Sequence, residues 1–396
     1  MNITKAFILK LFSAASMQRW NDKMRPVDFS ELDKQSHKMI IAYLLGKLEE
    51  ERDAVPWIDI IEGGIFELLQ RIVLTDLKPQ IYYRIKKDSQ KYQKLNDWAY
   101  KELHPVLAPL GNDFCEKYRN HFRASDDTFS KRILNAAHFY ATKWEFKFIE
   151  RANPDGYEIE DIKKDIADEN EMYYDLEGTK ELMLYSKLIS FVDLCGELRF
   201  QIRWSTTPRV PRTSVLGHML LVAILSYLFS LKINACESRR INNYYTGLFH
   251  DLPEVLTRDI ISPVKRSVKG LARLIKQYEK EEMERNVYAL LKDEWRKDMK
   301  LFTQDEFRNV VHINGKVVKK NFDEMNSSYN TDQYSPRDGE LVKAVDELTA
   351  FVEAYTSIRH GVSAPELDRA KNTIRDRYAG KSVAGINFSG LLADFD

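Results

Sequence analysis

The chain has 396 residues, in which 60 Lys and Arg balance 60 Asp and Glu, so the formal net charge is zero. That length suits two or three domains, and the balanced charge supplies no general positive field for a nucleic-acid backbone or an anionic bilayer. Hydrophobic residues at 44% exclude bulk disorder, and 16 Gly with 12 Pro are few for a loop-rich β protein, so the expected class is all-α.

Near the start, Ile8-Leu9-Lys10-Leu11-Phe12 is interrupted by Lys10 and no clean cleavage site follows, so it reads as a domain helix rather than a signal peptide. Helical spacing recurs through Met39-Ile40-Ile41-Leu44-Leu45 and Ile133-Ala137-Tyr140-Trp144-Phe148. Asn153-Pro154-Asp155-Gly156 predicts a turn, and the acidic stretch after it, to about Gly178, predicts a connector. Leu184-Leu188-Phe191-Cys195-Leu198 resumes the helical pattern. Val215 to Leu231 is apolar all round and carries His218; it falls short of the roughly 20 apolar residues a bilayer requires, so it is expected as a buried core helix. A hydrophilic stretch from about Lys276 to Arg337 holds the best short strand candidate, Lys316-Val317-Val318 behind Asn314-Gly315. Leu341-Val345-Leu348-Phe351-Tyr355 then predicts a last long helix. Cys115, Cys195 and Cys236 are odd in number and form no CxxC pair, which favours a reducing, cytoplasmic setting over a disulfide framework or a thiolate zinc site.

An internal repeat organises these elements. Arg203-Trp204, His218, Gly247-Leu248-Phe249-His250-Asp251, Leu256-Thr257-Arg258-Asp259 and Leu341-Val342-Lys343-Ala344-Val345-Asp346 follow one another in the second half. The first half offers Arg19-Trp20, His37, Gly64-Ile65-Phe66-Glu67-Leu68, Leu74-Thr75-Asp76 and Ile133-Leu134-Asn135-Ala136-Ala137-His138 in the same order. His37 and His218 lie 181 positions apart, Glu67 and His250 183. Where the second half has His250-Asp251 and Asp346, the first has Glu67-Leu68 and His138, so chemistry is expected in the second copy alone.

Imidazoles and carboxylates are ligands for borderline divalent metals, and His218, His250, Asp251 and Asp346 supply two of each. A divalent ion so held would acidify a water and neutralise a phosphate, the two needs of phosphoester hydrolysis. Glu254, three residues beyond Asp251, can move a proton; Arg203 offers a planar fork for phosphate oxygens; Trp204 offers an aromatic wall. Each also has a bland reading: a satisfied core histidine, helix-surface carboxylates at Glu254 and Asp259, a cation–π pair at Arg203-Trp204, a Lys-paired buried acid at Asp346. Lys265-Arg266 and Arg239-Arg240 read as solvated helix faces.

The ordered set, with His250-Asp251-Leu-Pro-Glu254-Val-Leu-Thr-Arg-Asp259 at its centre, resembles the HD-domain phosphohydrolase superfamily and, within it, the branch of 5′-deoxynucleotidases. The likeness covers about Leu184 to Arg359, with a weaker copy over about Ile8 to Phe148. It implies metal ligation by His218, His250, Asp251 and Asp346. It also implies a catalytic carboxylate at Glu254, phosphate binding by Arg203, crowding of the sugar 2′ position by Trp204, and an acid near the sugar and water at Asp259. Lys265 is a phosphate candidate from charge and position. The sequence departs from the branch at Gly217, where relatives carry Glu, and at Thr213-Ser214.

The resulting expectation is two tandem HD-type helical domains related by a pseudo-twofold: a degenerate copy over 1–155, an acidic connector over 156–180, and a phosphohydrolase over 181–396 with an insertion near 270–335. The expected activity is removal of phosphate from nucleoside 5′-monophosphates, deoxy forms preferred, with one divalent ion (Mn, Co, Fe, Ni, Zn or Mg). The alternatives are an HD-type hydrolase of triphosphates, cyclic nucleotides or an alarmone, and a non-catalytic nucleotide-binding or assembly protein with a vestigial site. A small-molecule nucleotide is the expected partner, with no nucleic acid or membrane, in a monomer imitating a dimer internally or in a homodimer.

Overall fold

A computed structural model describes residues 1–75, 77–124, 127–258 and 268–396. The chain divides into two compact units, Met1–Glu181 and Leu182–Asp396. Both are built of helices with a few short strands, so the all-α expectation holds.

In the N-terminal unit, β1 (Gln18–Arg19) pairs antiparallel with β2 (Phe29–Ser30), directly ahead of helix α1 (Glu31–Glu49). Ser30 caps α1 by accepting from the Asp33 N–H, which satisfies one of the donors a helix start leaves open. Helices α2 (Trp57–Leu74) and α3 (Phe129–Ala152) pack on α1 and on each other. The stretch 156–180, expected as a connector, instead contains helix Ile159–Glu171, packed on α3 within this unit. Its charges are the solvent face of an amphipathic helix whose Ile159 is buried.

The C-terminal unit is organised on α4 (Val215–Lys232), α5 (Glu237–Phe249) and α6 (Gly339–Arg359). Ser214 caps α4 by accepting from the Gly217 N–H at 2.9 Å. Every residue from Val215 to Ser230 is buried, which explains why the sequence gives α4 no polar face. The helix is long and apolar enough to span a bilayer, but here its partners are α5 and α6. Of its interior serines, Ser230 is answered inside: it donates to the Ser226 carbonyl at 2.7 Å and accepts from Asn243 at 2.8 Å. Gly247 brings α5 hard against α4, since a Cβ there would lie 2.7 Å from Ala223 Cα.

Between α5 and α6 the chain forms helices Leu271–Glu282, Arg296–Thr303 and Phe322–Ser328 and a hairpin of β3 (Asn309–Ile313) and β4 (Lys316–Lys319). Asn314 and Gly315 both adopt positive φ, at 49° and 75°, as a tight two-residue hairpin turn requires. The short strand β5 (Arg337–Asp338) pairs with β3 and leads into α6.

Arg239 is not solvated. Its side chain is fully buried and grips Asp338 through two bonds, Nε to Oδ2 at 2.7 Å and Nη2 to Oδ1 at 2.6 Å, while Asn243 donates to the same carboxylate at 2.8 Å. Removing one partner would strand a buried charge. Asp338→Ala is therefore expected to lower unfolding stability by about 3–5 kcal/mol. Denaturant titration of the variant checks this, and a loss below about 1 kcal/mol would mean the pair is solvated after all.

Candidate metal centre

Three helices deliver the side chains. His218 sits one turn into α4, His250 caps the C-terminus of α5 with Asp251 following in the turn, and Asp346 lies in the second turn of α6. Their tips converge. His218 Nε2 is 3.0 Å from Asp346 Oδ1 and 3.8 Å from Asp251 Oδ2, and His250 Nε2 is 3.2 Å from Asp251 Oδ2 and 4.0 Å from Asp346 Oδ1. The ligand atoms of His218, His250 and Asp346 all fall within 4.8 Å of one another, so the cluster can hold a metal ion.

The surroundings fit a cation. His250 Nδ1 donates to the Gly247 carbonyl at 2.9 Å and Nε2 turns to Asp251; burial favours the neutral ring, but Asp251 and Asp346 outweigh it and raise its pKa, so the pocket draws positive charge. Burial opposes ionisation of Asp346, yet Lys343 and the hydrogen bond from His218 outweigh it and hold the carboxyl well below the ordinary carboxylate range. Asp251 is likewise held low against burial by His250, His218 and Arg203, so both acids are anionic at neutral pH.

Residues 195–375 match the family model of the HD domain, and all four side chains lie inside the match. This segment is similar to the HD domain. HD domains bind a divalent metal and are in general metal-dependent phosphohydrolases. No curated protein matches the chain.

The HD domain opens on a cavity of about 490 Å³ lined by Arg203, His250, Asp251, Glu254, Lys343 and Asp346. Its opposite wall comes from the insertion, through Lys276, Lys280, Glu306 and Phe307 among others. Arg203 reaches Asp251 Oδ2 from Nη1 at 3.4 Å. Glu254 opens the short helix Glu254–Thr257 and lines the cavity beside Asp251. Asp259 and Lys265 lie outside the described residues.

Trp204 departs from its expected place. It is not among the cavity-lining residues; its ring packs against the buried cluster of Ala354, Ala364 and Leu367, and its indole N–H donates to Glu353 at 2.8 Å. The backbone at Trp204 takes a φ of 58°, and that reversal sends the indole toward α6 while Arg203 points into the cavity.

Sequence reasoning missed Glu353. This fully buried carboxylate, two turns beyond Asp346 on the same face of α6, gathers four groups around it. Arg203 Nε approaches at 3.4 Å, Trp204 Nε1 at 2.8 Å, the Thr213 hydroxyl donates at 2.7 Å, and His218 Nδ1 stands 3.6 Å away. Burial works against its charge, but Arg203 and Arg209 hold its carboxyl well below the usual value of 4.5. Its charge therefore faces the inner nitrogen of His218 from behind, beyond hydrogen-bond distance. Thr213 serves this network and Ser214 the helix cap, which accounts for that departure from the branch. Lys343, also missed as a site residue, lies above Phe307 with its ammonium 4.5 Å from the ring centre and 2.8 Å from Asp346 Oδ2.

The N-terminal unit repeats the geometry with different chemistry. Arg19 Nε and Trp20 Nε1 both donate to Glu145 Oε2, at 2.8 and 2.9 Å, and Trp20 shares the positive φ of Trp204, at 53°. The bridge between Gln18 and Ser30 repeats that between Ile202 and Ser214, both shifted by 184 positions. A Cβ on Gly64 would strike Met39 as one on Gly247 would strike Ala223, again 184 positions on from Met39. In this register the counterpart of His218 is Lys34, not His37. His37 turns its ring onto Trp144, with centroids 5.1 Å apart, while Lys34 reaches His138, 2.9 Å from Nε2. Matching histidine to histidine displaced the alignment by three residues, close to one helical turn.

Glu353→Gln keeps the shape of the network and removes its charge. Metal affinity is expected to fall roughly 10- to 100-fold, read by competition with a chromophoric chelator. The stabilising charge is present above the ordinary carboxylate range and is lost as pH falls through the depressed folded-state value. The acid limb of a melting-temperature profile should flatten in the variant, and an unchanged profile with unchanged affinity would remove Glu353 from the site.

Proposed function

We propose that the HD domain is a metal-dependent phosphomonoesterase acting on nucleoside 5′-monophosphates. The observation that carries this is the meeting of His218, His250, Asp251 and Asp346 at the floor of a cavity that also presents Arg203, Lys343 and Glu254. A divalent ion bound there would acidify a water and offset phosphate charge. Arg203 is braced by Glu353 behind it and directs its remaining fork toward the cavity, where a phosphate oxygen would replace the long 3.4 Å contact to Asp251. Lys343 supplies a second positive charge from α6. Glu254 is placed to give or take a proton at the ester oxygen, from the wall adjoining Asp251. Phe307 and Pro253 are the surfaces a nucleoside would meet, because Trp204 packs elsewhere.

A second reading, hydrolysis of nucleoside triphosphates, draws support from Lys276 and Lys280 on the cavity wall, which would suit a longer phosphate chain. A panel of ribo- and deoxyribonucleoside mono- and triphosphates with Mn, Co, Mg and Zn decides between them by specific activity.

We also infer that the two units descend from one duplicated ancestor. The paired Arg-Trp-Glu networks, the paired positive-φ tryptophans and the common offset of 184 support this.

Asp251→Ala is expected to lose both bound metal and turnover, and Glu254→Gln to retain metal while kcat falls on the order of 10²- to 10⁴-fold. Phosphate-release kinetics with metal analysis on the same samples test both. Activity persisting in metal-free Asp251→Ala would overturn the mechanism.

A further inference from the structure

The N-terminal unit contains a cavity of about 180 Å³ at the place where the HD domain has its metal centre. Arg19, Gln35, Glu67, Arg71 and His138 line it, and Lys34 stands fully buried behind His138. In the register set by the paired networks, Lys34 replaces His218, Glu67 His250, Leu68 Asp251, Arg71 Glu254 and His138 Asp346. With neutral histidines, the five HD-domain residues carry a formal charge of minus three, from Asp251, Glu254 and Asp346. The five counterparts carry plus one when Lys34 is protonated and zero when it is neutral. The pocket floor has thus lost its net negative charge, and the proton-transfer carboxylate has become a guanidinium.

The arginine shared by both units keeps its bracing. Arg19 bonds Glu145 through Nε and Glu31 through Nη1 at 2.9 Å, with Nη2 taking no part in either pair. Arg71 contacts Glu31 only at 3.6 Å and keeps a quarter of its side chain exposed. Gln35 is 3% exposed, and its Oε1 has no hydrogen-bond partner among the described residues, an acceptor left for a donor in the cavity. A second chamber of about 300 Å³ shares the wall formed by Arg19, Arg71, Tyr83 and Glu169, whose carboxyl pKa is pushed up by burial, and adds Trp20 and Ile162. An arginine pair at the junction and aromatic rings beyond it are the arrangement that takes a phosphate at one end and a flat organic group at the other.

We propose that this pocket binds a nucleoside monophosphate without metal and without hydrolysis, the phosphate between Arg19 and Arg71 and the nucleoside against Trp20 and Tyr83. The inference rests on reading the equivalent site of the HD domain as one for phosphate esters. Lys34 fills the space of a metal-ligating histidine with an amine that meets the His138 ring, so the donor set an ion would need is not kept. Leu68 and Arg71 remove the ligand and the acid that hydrolysis would use.

The test is calorimetric titration of the full chain with adenosine 5′-monophosphate in excess chelator, where the HD-domain site holds no ion. Expected is one binding event per chain that persists in Arg203→Gln, weakens roughly tenfold or more in Arg71→Gln, and is largely restored in Arg71→Lys. Adenosine without phosphate should bind far more weakly. Absence of binding at millimolar nucleotide, equal affinity for adenosine, or loss in Arg203→Gln with retention in Arg71→Gln would each overturn the proposal. Because the readout is binding in chelator, a failure of the HD domain to hydrolyse monophosphates would show separately, in the phosphate-release assay.

Discussion

A single buried carboxylate holds the HD-domain site in shape. Glu353 is fully buried, so its position is fixed by the groups that answer it: the guanidinium of Arg203, the indole of Trp204 and the hydroxyl of Thr213, with the inner nitrogen of His218 facing it. Arg203, Trp204 and Thr213 come from the loop ahead of α4, and His218 from α4 itself. The loop ahead of α4, the helix α4 itself and α6 are thereby tied to one point, and the outer nitrogen of His218 and the guanidinium face the cavity as a result. Deleting that charge would leave Arg203 and Arg209 facing each other in a low-dielectric interior.

The N-terminal unit keeps this hub and changes what surrounds it. Glu145 receives Arg19 and Trp20 in the same way, with the same backbone reversal at the tryptophan. The two hubs are alike, whereas the residues facing the cavities differ in charge: three carboxylates in one, and Glu67 offset by Arg71 in the other. Burial forces the Lys34 amine and the His138 ring toward their neutral forms, with Arg19 and Lys38 for Lys34, and Lys34 and Lys38 for His138, adding repulsion. An arrangement of that kind stays in place only because Glu31, Glu67 and Glu145 surround it.

Much of this was legible in the sequence, for identifiable reasons. The meeting of His218, His250 and Asp346 was readable because imidazole and carboxylate chemistry restricts the residue types, and α4 because a helix apolar all round and short of a bilayer span is expected inside a core. The Asn314-Gly315 hairpin announced itself through residues that tolerate positive φ. Glu353 stayed hidden because a buried acid and a surface acid look alike until the partners are known; its spacing of seven from Asp346 was the available signal. Arg239 was misread for the same reason, its partner Asp338 lying 99 positions away. The direction of Trp204 depended on a φ near 58° that no tryptophan advertises. His37 misled through identity of residue type, where the helix cap at Ser30 gave the better ruler.

The Arg239–Asp338 grip has a mechanical meaning. Asp338 directly precedes α6, eight residues ahead of Asp346 and fifteen ahead of Glu353. A helix climbs about 1.5 Å and rotates about 100° for each residue, so a slip of one position would swing both acids away from their targets together. The clamp at the foot of α6 works like the index mark on a dial, setting in one place the angle at which two distant carboxylates are presented.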